Sequence, residues 1–473
     1  MAVPDQNRDM PSQMADPAYQ RELGSGLVLR WSSAADAAGV GRLMGQVESI
    51  GPHEPVNPRV VDGTIRQMSG HFPLMGPGDV ALVEDRSAPE RPIVACAALW
   101  RETWEYAGIP FDVGRPENVA TDPAYRNRGL VHAMFELLHA RCAAEGRLVQ
   151  AITGIRHFYR QFGYEYALDL RGRRVSYVAL IPPASPDAPE PYALRAAELA
   201  DLPAIMTIYA RRRSESLVHN QISEAFWRYQ IDKWADPTLA GLDATQYGHS
   251  ERILAVVDRA GAVRGFASVA TKRWGHDLQI PALELDRGAS WQAAIVPLLR
   301  ALRQYGEQLP TVSRAAEPLR EMSFLLGRAH PVYDALGPEL APYYDPPYAW
   351  YLRVPDLPAF LARIAPALER RLAESPAANY TGTLKLDFYR GGLALSFEQG
   401  RLLRVEPWRA ATAGPGADAG CPGLVFLQLL FGYRGLDELR DAFPDVWVEP
   451  SAEGLLRALF PKAASWVIAL IAL

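Results

Sequence analysis

The segment Val119 to Met134 constrains the fold more than any other stretch. It reads as the end of a β-strand, a turn through Asp122 and Pro123, and the start of a helix. At its centre stand Arg126, Asn127, Arg128, Gly129, Leu130 and Val131. A helix start presents backbone N–H groups without intrahelical acceptors, and the positive end of a dipole. Such a terminus is an anion site, suited to a pyrophosphate. Gly129 lets the backbone approach a ligand closely because it has no Cβ. Arg126 and Arg128 add positive charge beside those amides.

Around this segment the pattern alternates strands and helices. Strands are expected at 26–30, 79–84, 92–100, from a hairpin turn near Tyr106 to Thr121, at 148–152 and from Tyr164 onward. Helices are expected at 34–47, 126–145 and 155–162. Ile181 to Pro191 is so rich in proline that it reads as a linker. Beyond it the outline recurs. Strands fall at 192–195, 253–258, 265–271 and 282–285, with helices at 200–211 and 290–305. Val332 to Gly337 faintly repeats Phe158 to Gly163. Such self-similarity suggests duplication of one α/β domain. The second copy has Glu284 to Ala289 where the phosphate motif would stand, without its spacing. From about Ala349 a smaller α+β layer follows: a helix over 357–372, strands at 381–389, 393–397 and 401–405, and helices near 424–430 and 454–459. The division expected is a mobile tail over 1–25, an α/β domain with the anion-site segment over 26–184, a copy without that segment over 185–345, and an α+β domain over 346–473.

Composition narrows the class. Of 473 residues, 49% are hydrophobic and 22% charged, as in globular proteins. The net charge of −5 argues against a nucleic-acid partner, which a basic patch would announce. Cys96, Cys142 and Cys421 are far apart and form neither a disulfide framework nor a metal knuckle, so no metal and a reducing, cytoplasmic setting are expected. The first residues lack the apolar core of a signal peptide, and no apolar run is long enough for a membrane span. Other motifs carry nothing. Gly39 to Gly45 lacks dinucleotide spacing and lies inside a helix. His132 and His139 lack ligand spacing and read as surface or packing residues. No G-x-S-x-G occurs. Glu102, Glu105 and Asp112 either contact a cationic amine or are solvated.

Arg126 and Gly129 match the cofactor motif of the GNAT acetyltransferase superfamily, Arg/Gln-x-x-Gly-x-Gly/Ala, although Val131 stands where Gly or Ala is usual. The wider pattern from Val119 to Leu130, with Phe158 to Tyr164 downstream and Leu459 to Val467 near the end, resembles the Eis (enhanced intracellular survival) family. The resemblance implies tandem GNAT-like domains followed by a sterol-carrier-like domain. It implies acetyl-CoA as co-substrate, whose pantetheine arm pairs with the strand at Val119, Ala120 and Thr121. The pyrophosphate would lie on Arg126 to Val131. Tyr159 would be the general acid that protonates the leaving thiolate, since a neutral phenol can donate at pH 7. The carboxylate of Leu473 would be the general base, although Eis proteins often end in phenylalanine. The acceptor would be a small-molecule amine, aminoglycoside- or polyamine-like, and the assembly a homo-hexamer. Two other readings are a lipid- or ligand-binding protein working through residues 346–473, and an acyl-CoA sensor without turnover.

Overall fold

The computed structural model describes residues 12–49, 55–185, 189–235, 250–312, 317–409 and 416–468. Its largest sheet contains β1 (Gln20–Gly24), β2 (Leu27–Trp31), β3 (Val80–Asp85), β4 (Ile93–Tyr106), β5 (Ile109–Thr121), β6 (Val149–Ile152) and β7 (Glu165–Leu170). β1 to β5 run antiparallel in chain order, and β6 joins β5 in parallel. The parallel step requires a crossover, and the helix Leu130–Ala144 supplies it.

Alternation along β4 sorts its side chains to two faces. Ala95, Ala97 and Leu99 pack with Met134, Phe135 and Leu138 of that helix. Cys96, Ala98 and Trp100 face the opposite way, with Val40, Leu43 and Met44 of the helix Ala37–Val47 and Val60 of the helix Pro58–Gln67. Gly114 on β5 permits the close seat of the crossover helix, because a Cβ there would collide with Cys142 Sγ.

The second unit repeats this plan. Its strands Tyr192–Ala196, Glu251–Asp258, Val263–Ala270 and Ala282–Leu285 form an antiparallel sheet, and the helix Trp291–Glu307 follows. The strand Glu321–Phe324 then pairs in parallel with Asp277–Ile280.

The two units exchange strands. Arg173–Tyr177, which directly follows β7, pairs with Glu321–Phe324 and Tyr343–Asp345 of the second unit. Tyr348–Arg353, which directly follows Tyr343–Asp345, lies between β6 and β7 and is antiparallel to both. A cut near residue 184 or 345 therefore leaves each sheet without one of its strands. Of the stretch 1–25, expected to be a mobile tail, Gln20–Gly24 form β1 of the first sheet, and residues 1–11 lie outside the described residues.

The last unit packs helices on a five-stranded sheet ordered Arg401–Pro407, Gly392–Glu398, Gly382–Asp387, Ala419–Gly420 and Trp447–Val448. One expected helix, 357–372, is two: Leu357–Arg363 and Ala365–Ala373, broken at Ile364 ahead of Pro366. This unit shares a core with the first. Trp104, Tyr106, Phe111 and Val149 pack with Phe360, Leu368, Leu430 and Phe431, and the Tyr106 hydroxyl donates to Leu430 O at 2.8 Å. Among the described residues no helix is long and apolar enough to cross a membrane.

Candidate active site

β5 and β6 pair only at Val113 with Val149 and Gly114 with Gln150. Past Gly114 the strands part, and β5 continues to Thr121 with no strand on that edge among the described residues. A bulge opposite Cys96–Ala98 marks this stretch. Asn118 takes a φ of 51° there, and its amide donates to Gln67 Oε1 at 2.6 Å. Val119, Ala120 and Thr121 follow, so the residues expected to meet a pantetheine arm lie on the free edge. The Thr121 hydroxyl is buried and has no hydrogen-bond partner among the described residues.

The chain then turns into the crossover helix. Asp122 Oδ1 accepts from Ala124 N at 2.8 Å and starts a short 3₁₀ turn, Pro123–Tyr125. The Tyr125 hydroxyl ties the turn to β3 by donating to Asp85 Oδ2 at 2.7 Å. Asn127 and Gly129 take φ values of 62° and 74°. The helix begins at Leu130, four residues later than expected, with Gly129 as an N-cap that offers no side chain. Its first backbone bond runs from Ala133 N to Gly129 O at 3.2 Å, which leaves the N–H groups of Leu130, Val131 and His132 without helical acceptors. A Cβ on Gly129 would meet nothing within 4 Å, so the space over these amides is open.

Arg126 and Arg128 are exposed beside them. Arg126 Nε donates to Thr121 O at 3.4 Å, and Arg128 reaches Ala124 O at 3.1 Å with its guanidinium 4.8 Å from the Tyr125 ring. Both bonds are to carbonyls, so both charges remain available to an anion. The helix Trp291–Glu307 of the second unit differs: Ser290 caps it, its hydroxyl accepting from Ala293 N at 3.4 Å. That terminus is satisfied by the chain itself and has no arginine pair.

Tyr159 lies at the end of β6, in the 3₁₀ helix Phe158–Phe162. Its ring packs against Phe135, Phe158, Tyr164 and Tyr351 and is only 4% exposed. Its hydroxyl makes no hydrogen bond to the described residues and would stand 3.6 Å from a Cβ on Gly154, where β6 turns away. Burial, then the Glu117 carboxylate, pushes this phenol well above its ordinary range, so it stays protonated. The exchanged strand and β7 brace the loop: the Tyr351 hydroxyl of the first donates to Ile155 O at 3.1 Å, and His157 N donates to Tyr166 Oη of the second at 2.7 Å.

Two carboxylates missed in the sequence belong here. Glu117 sits on β5 next to the bulge, bound to Arg115 Nε at 2.7 Å. It lies near enough to act on both Tyr159 and Glu48. Glu48, at the end of the helix Ala37–Val47, has no hydrogen-bond partner among the described residues. Burial, then Glu117, holds its carboxyl above the usual range. An isolated acid at a helix end, or within a strand, carries no pattern, which is why neither residue stood out. The acids that did stand out are otherwise engaged. Glu102 accepts from Arg115 at 2.8 Å and from Trp104 Nε1 at 2.6 Å. Glu105 faces His219 and Gln221, and Asp112 accepts from Thr103 Oγ1 at 3.1 Å on the exposed side. His132 packs on Phe162, and His139 Nε2 bonds the Tyr164 hydroxyl at 3.0 Å. Among the described residues no three potential ligands converge as a metal site. Leu473 lies outside the described residues.

Comparison with known proteins agrees with this geometry. Residues 55–167 match the family model described as an acetyltransferase (GNAT) domain. No curated protein matches the sequence. Among solved structures, the chain is similar to a probable N-acyltransferase of Enterococcus faecalis V583, with a TM-score of 0.63 and 14% identity over 94% of this chain and 99% of that one. A GCN5-related N-acetyltransferase of Kribbella flavida gives 0.59 and 19%, covering 94% and 98%. Eis1 of Mycobacterium abscessus gives 0.55 and 13%, covering 94% and 99%. At these identities the likeness is one of fold, and it extends over nearly the whole chain.

Proposed function

We propose that this N-acetyltransferase, whose residues 55–167 form a GNAT domain, transfers acetyl from acetyl-CoA to a cationic amine in the gap between β5 and β6. One observation carries the reading. The strands part after Gly114, an uncapped, arginine-flanked helix start follows β5, and a tyrosine hydroxyl with no partner among the described residues stands in the turn beyond β6.

Val119 to Thr121 offer backbone groups to the pantetheine arm, and the amides after Gly129, with Arg126 and Arg128, take the pyrophosphate. The freed amine nitrogen attacks the thioester carbonyl, a C–N bond forms and the C–S bond breaks. Tyr159 gives its proton to the departing thiolate and regains one from the acylated nitrogen. The nitrogen is freed for attack by a carboxylate general base, which takes the first proton of the ammonium. The family resemblance gives that role to Leu473. Glu48 is a second assignment, favoured by its raised pKa and its freedom from partners. The two differ in a pH profile: Glu48→Gln abolishes the acidic limb of kcat/KM if Glu48 is the base, and preserves it if Leu473 is.

The Glu48 and Glu117 carboxylates favour a positively charged acceptor, such as a polyamine or an aminoglycoside. A sterol-carrier-like fold for residues 346–473 and a hexameric assembly complete the proposal. Static light scattering tests the assembly. The lipid-binding alternative has less support. In the last unit an apolar cavity lined by Leu386, Phe426, Leu429 and Leu456 measures about 20 Å³, which is room for about one water rather than an acyl chain. Tight acetyl-CoA binding without thiol release under any amine would favour a sensor instead.

A further inference from the structure

A cleft of about 740 Å³ lies where the three units meet, far along the chain from the acetyl-transfer motif. Its walls come from β7 and the exchanged strand Arg173–Tyr177, from the helix ends around Arg212 and Pro331, and from the segment Lys462–Trp466. Its volume is that of a small-molecule site.

Four cations with long side chains line it: Arg174, Arg212, Arg328 and Lys462. Three are neutralised. Arg328 forks onto both oxygens of Asp169 at 2.9 Å. Arg212 meets Glu215 at 3.0 Å and Glu284 at 3.4 Å. Lys462 meets Glu438 at 2.6 Å. Arg174 is different. Among the described residues its guanidinium has no carboxylate partner and no hydrogen bond, and its Nε is fully buried. The rings of Tyr344 and Tyr333 lie 4.8 and 5.6 Å from its centre and flank it without satisfying its N–H groups. The remaining acid of the lining, Asp334, is exposed to solvent. Leaving a partly buried guanidinium unpaired is costly. Tyr433, Trp466, Leu168 and Leu326 give the same cleft an apolar wall.

A planar fork of donors beside aromatic surface matches a carboxylate on an apolar body. We propose that this cleft binds a small organic carboxylate, held by the Arg174 guanidinium with its apolar part against Tyr433 and Trp466. The inference is independent of the acetyl-transfer reading, because its test measures binding alone.

The test is isothermal titration calorimetry of the full chain with benzoate, benzamide and inorganic phosphate. Benzoate is expected to bind saturably and benzamide, its neutral isostere, at least about tenfold more weakly, as a charge-assisted pair requires. Arg174→Gln is expected to weaken benzoate to the same degree while leaving acetyl-CoA binding unchanged. If that variant fails to fold, Ala464→Trp, which fills the cleft from its exposed rim, is expected to abolish benzoate binding alone. Equal binding of benzoate and benzamide, undiminished binding in either variant, tighter binding of phosphate, or no saturable binding would each overturn the proposal.

Discussion

At the residue scale the loop proposed to hold the cofactor depends on one conformation. Gly129 at a φ of 74° lets Leu130 and Val131 turn their N–H groups outward together. Alanine has room there, since nothing lies within 4 Å, but it pays about 1–2 kcal/mol for left-handed backbone. Gly129→Ala is therefore expected to raise KM for acetyl-CoA by roughly 5–30-fold with little change in kcat. An unchanged KM would mean that these amides do not hold the pyrophosphate. The arginines and the glycine were legible in the sequence because they are contiguous. Glu48 and Glu117 were not. They are 69 positions apart, and only the packing of the helix Ala37–Val47 across β5 brings them together.

At the scale of elements, the crossover helix carries a buried histidine with a calculable consequence. Burial, then the Arg353 charge, pulls the His139 imidazole down to about 3. The folded state keeps His139 neutral while the unfolded chain protonates near its ordinary value of about 6.5. Stability is thus intact above pH 6.5 and falls as pH drops from there toward 3, by about 2 kcal/mol between pH 6.5 and 5. Urea unfolding of wild type and His139→Gln at pH 7 and pH 5 checks this, the variant losing that much less on acidification. An equal loss in both would place the acid sensitivity elsewhere. The exchanged strand makes a second prediction. Trp350 is fully buried, 5.4 Å from Trp104 and 4.9 Å from the Arg115 guanidinium, so Trp350→Ala is expected to cost about 3–5 kcal/mol in denaturant unfolding. Ala349, Trp350, Tyr351 and Leu352 form a continuous buried run, as a strand covered on both faces should. The sequence carried that signal, but a local pattern cannot say which sheet a strand will enter. Most strands and helices of the two α/β units were legible from periodicity, but Val218–Gln221, Glu224–Asp232, Asp277–Ile280 and Glu321–Phe324 were not, and the helix Leu202–Arg213 shares its core with Val40 and Leu43 of the first unit. The helix Pro58–Gln67 escaped notice between two loops, although Asn57 caps it and Pro58 opens it.

At the scale of the whole molecule, strand exchange and a shared core bind the units together. Arg173–Tyr177 and Tyr348–Arg353 each complete the sheet of the other unit, and the last unit covers the open face of the first. Unfolding is expected as one cooperative transition, coincident by circular dichroism and tryptophan fluorescence; separated midpoints would show independent units. This rigidity extends to the proposed site, because Tyr351 from the far side of the chain braces the loop that carries Tyr159. The most direct test is thiol release from acetyl-CoA with a panel of polyamines and aminoglycosides, in wild type and in Tyr159→Phe. Amine-dependent release that falls at least about tenfold in the variant, with acetyl-CoA binding retained, is the predicted result. Release undiminished in Tyr159→Phe would contradict the general-acid assignment, and the absence of both release and acetyl-CoA binding in wild type would contradict acetyl transfer in the gap between β5 and β6.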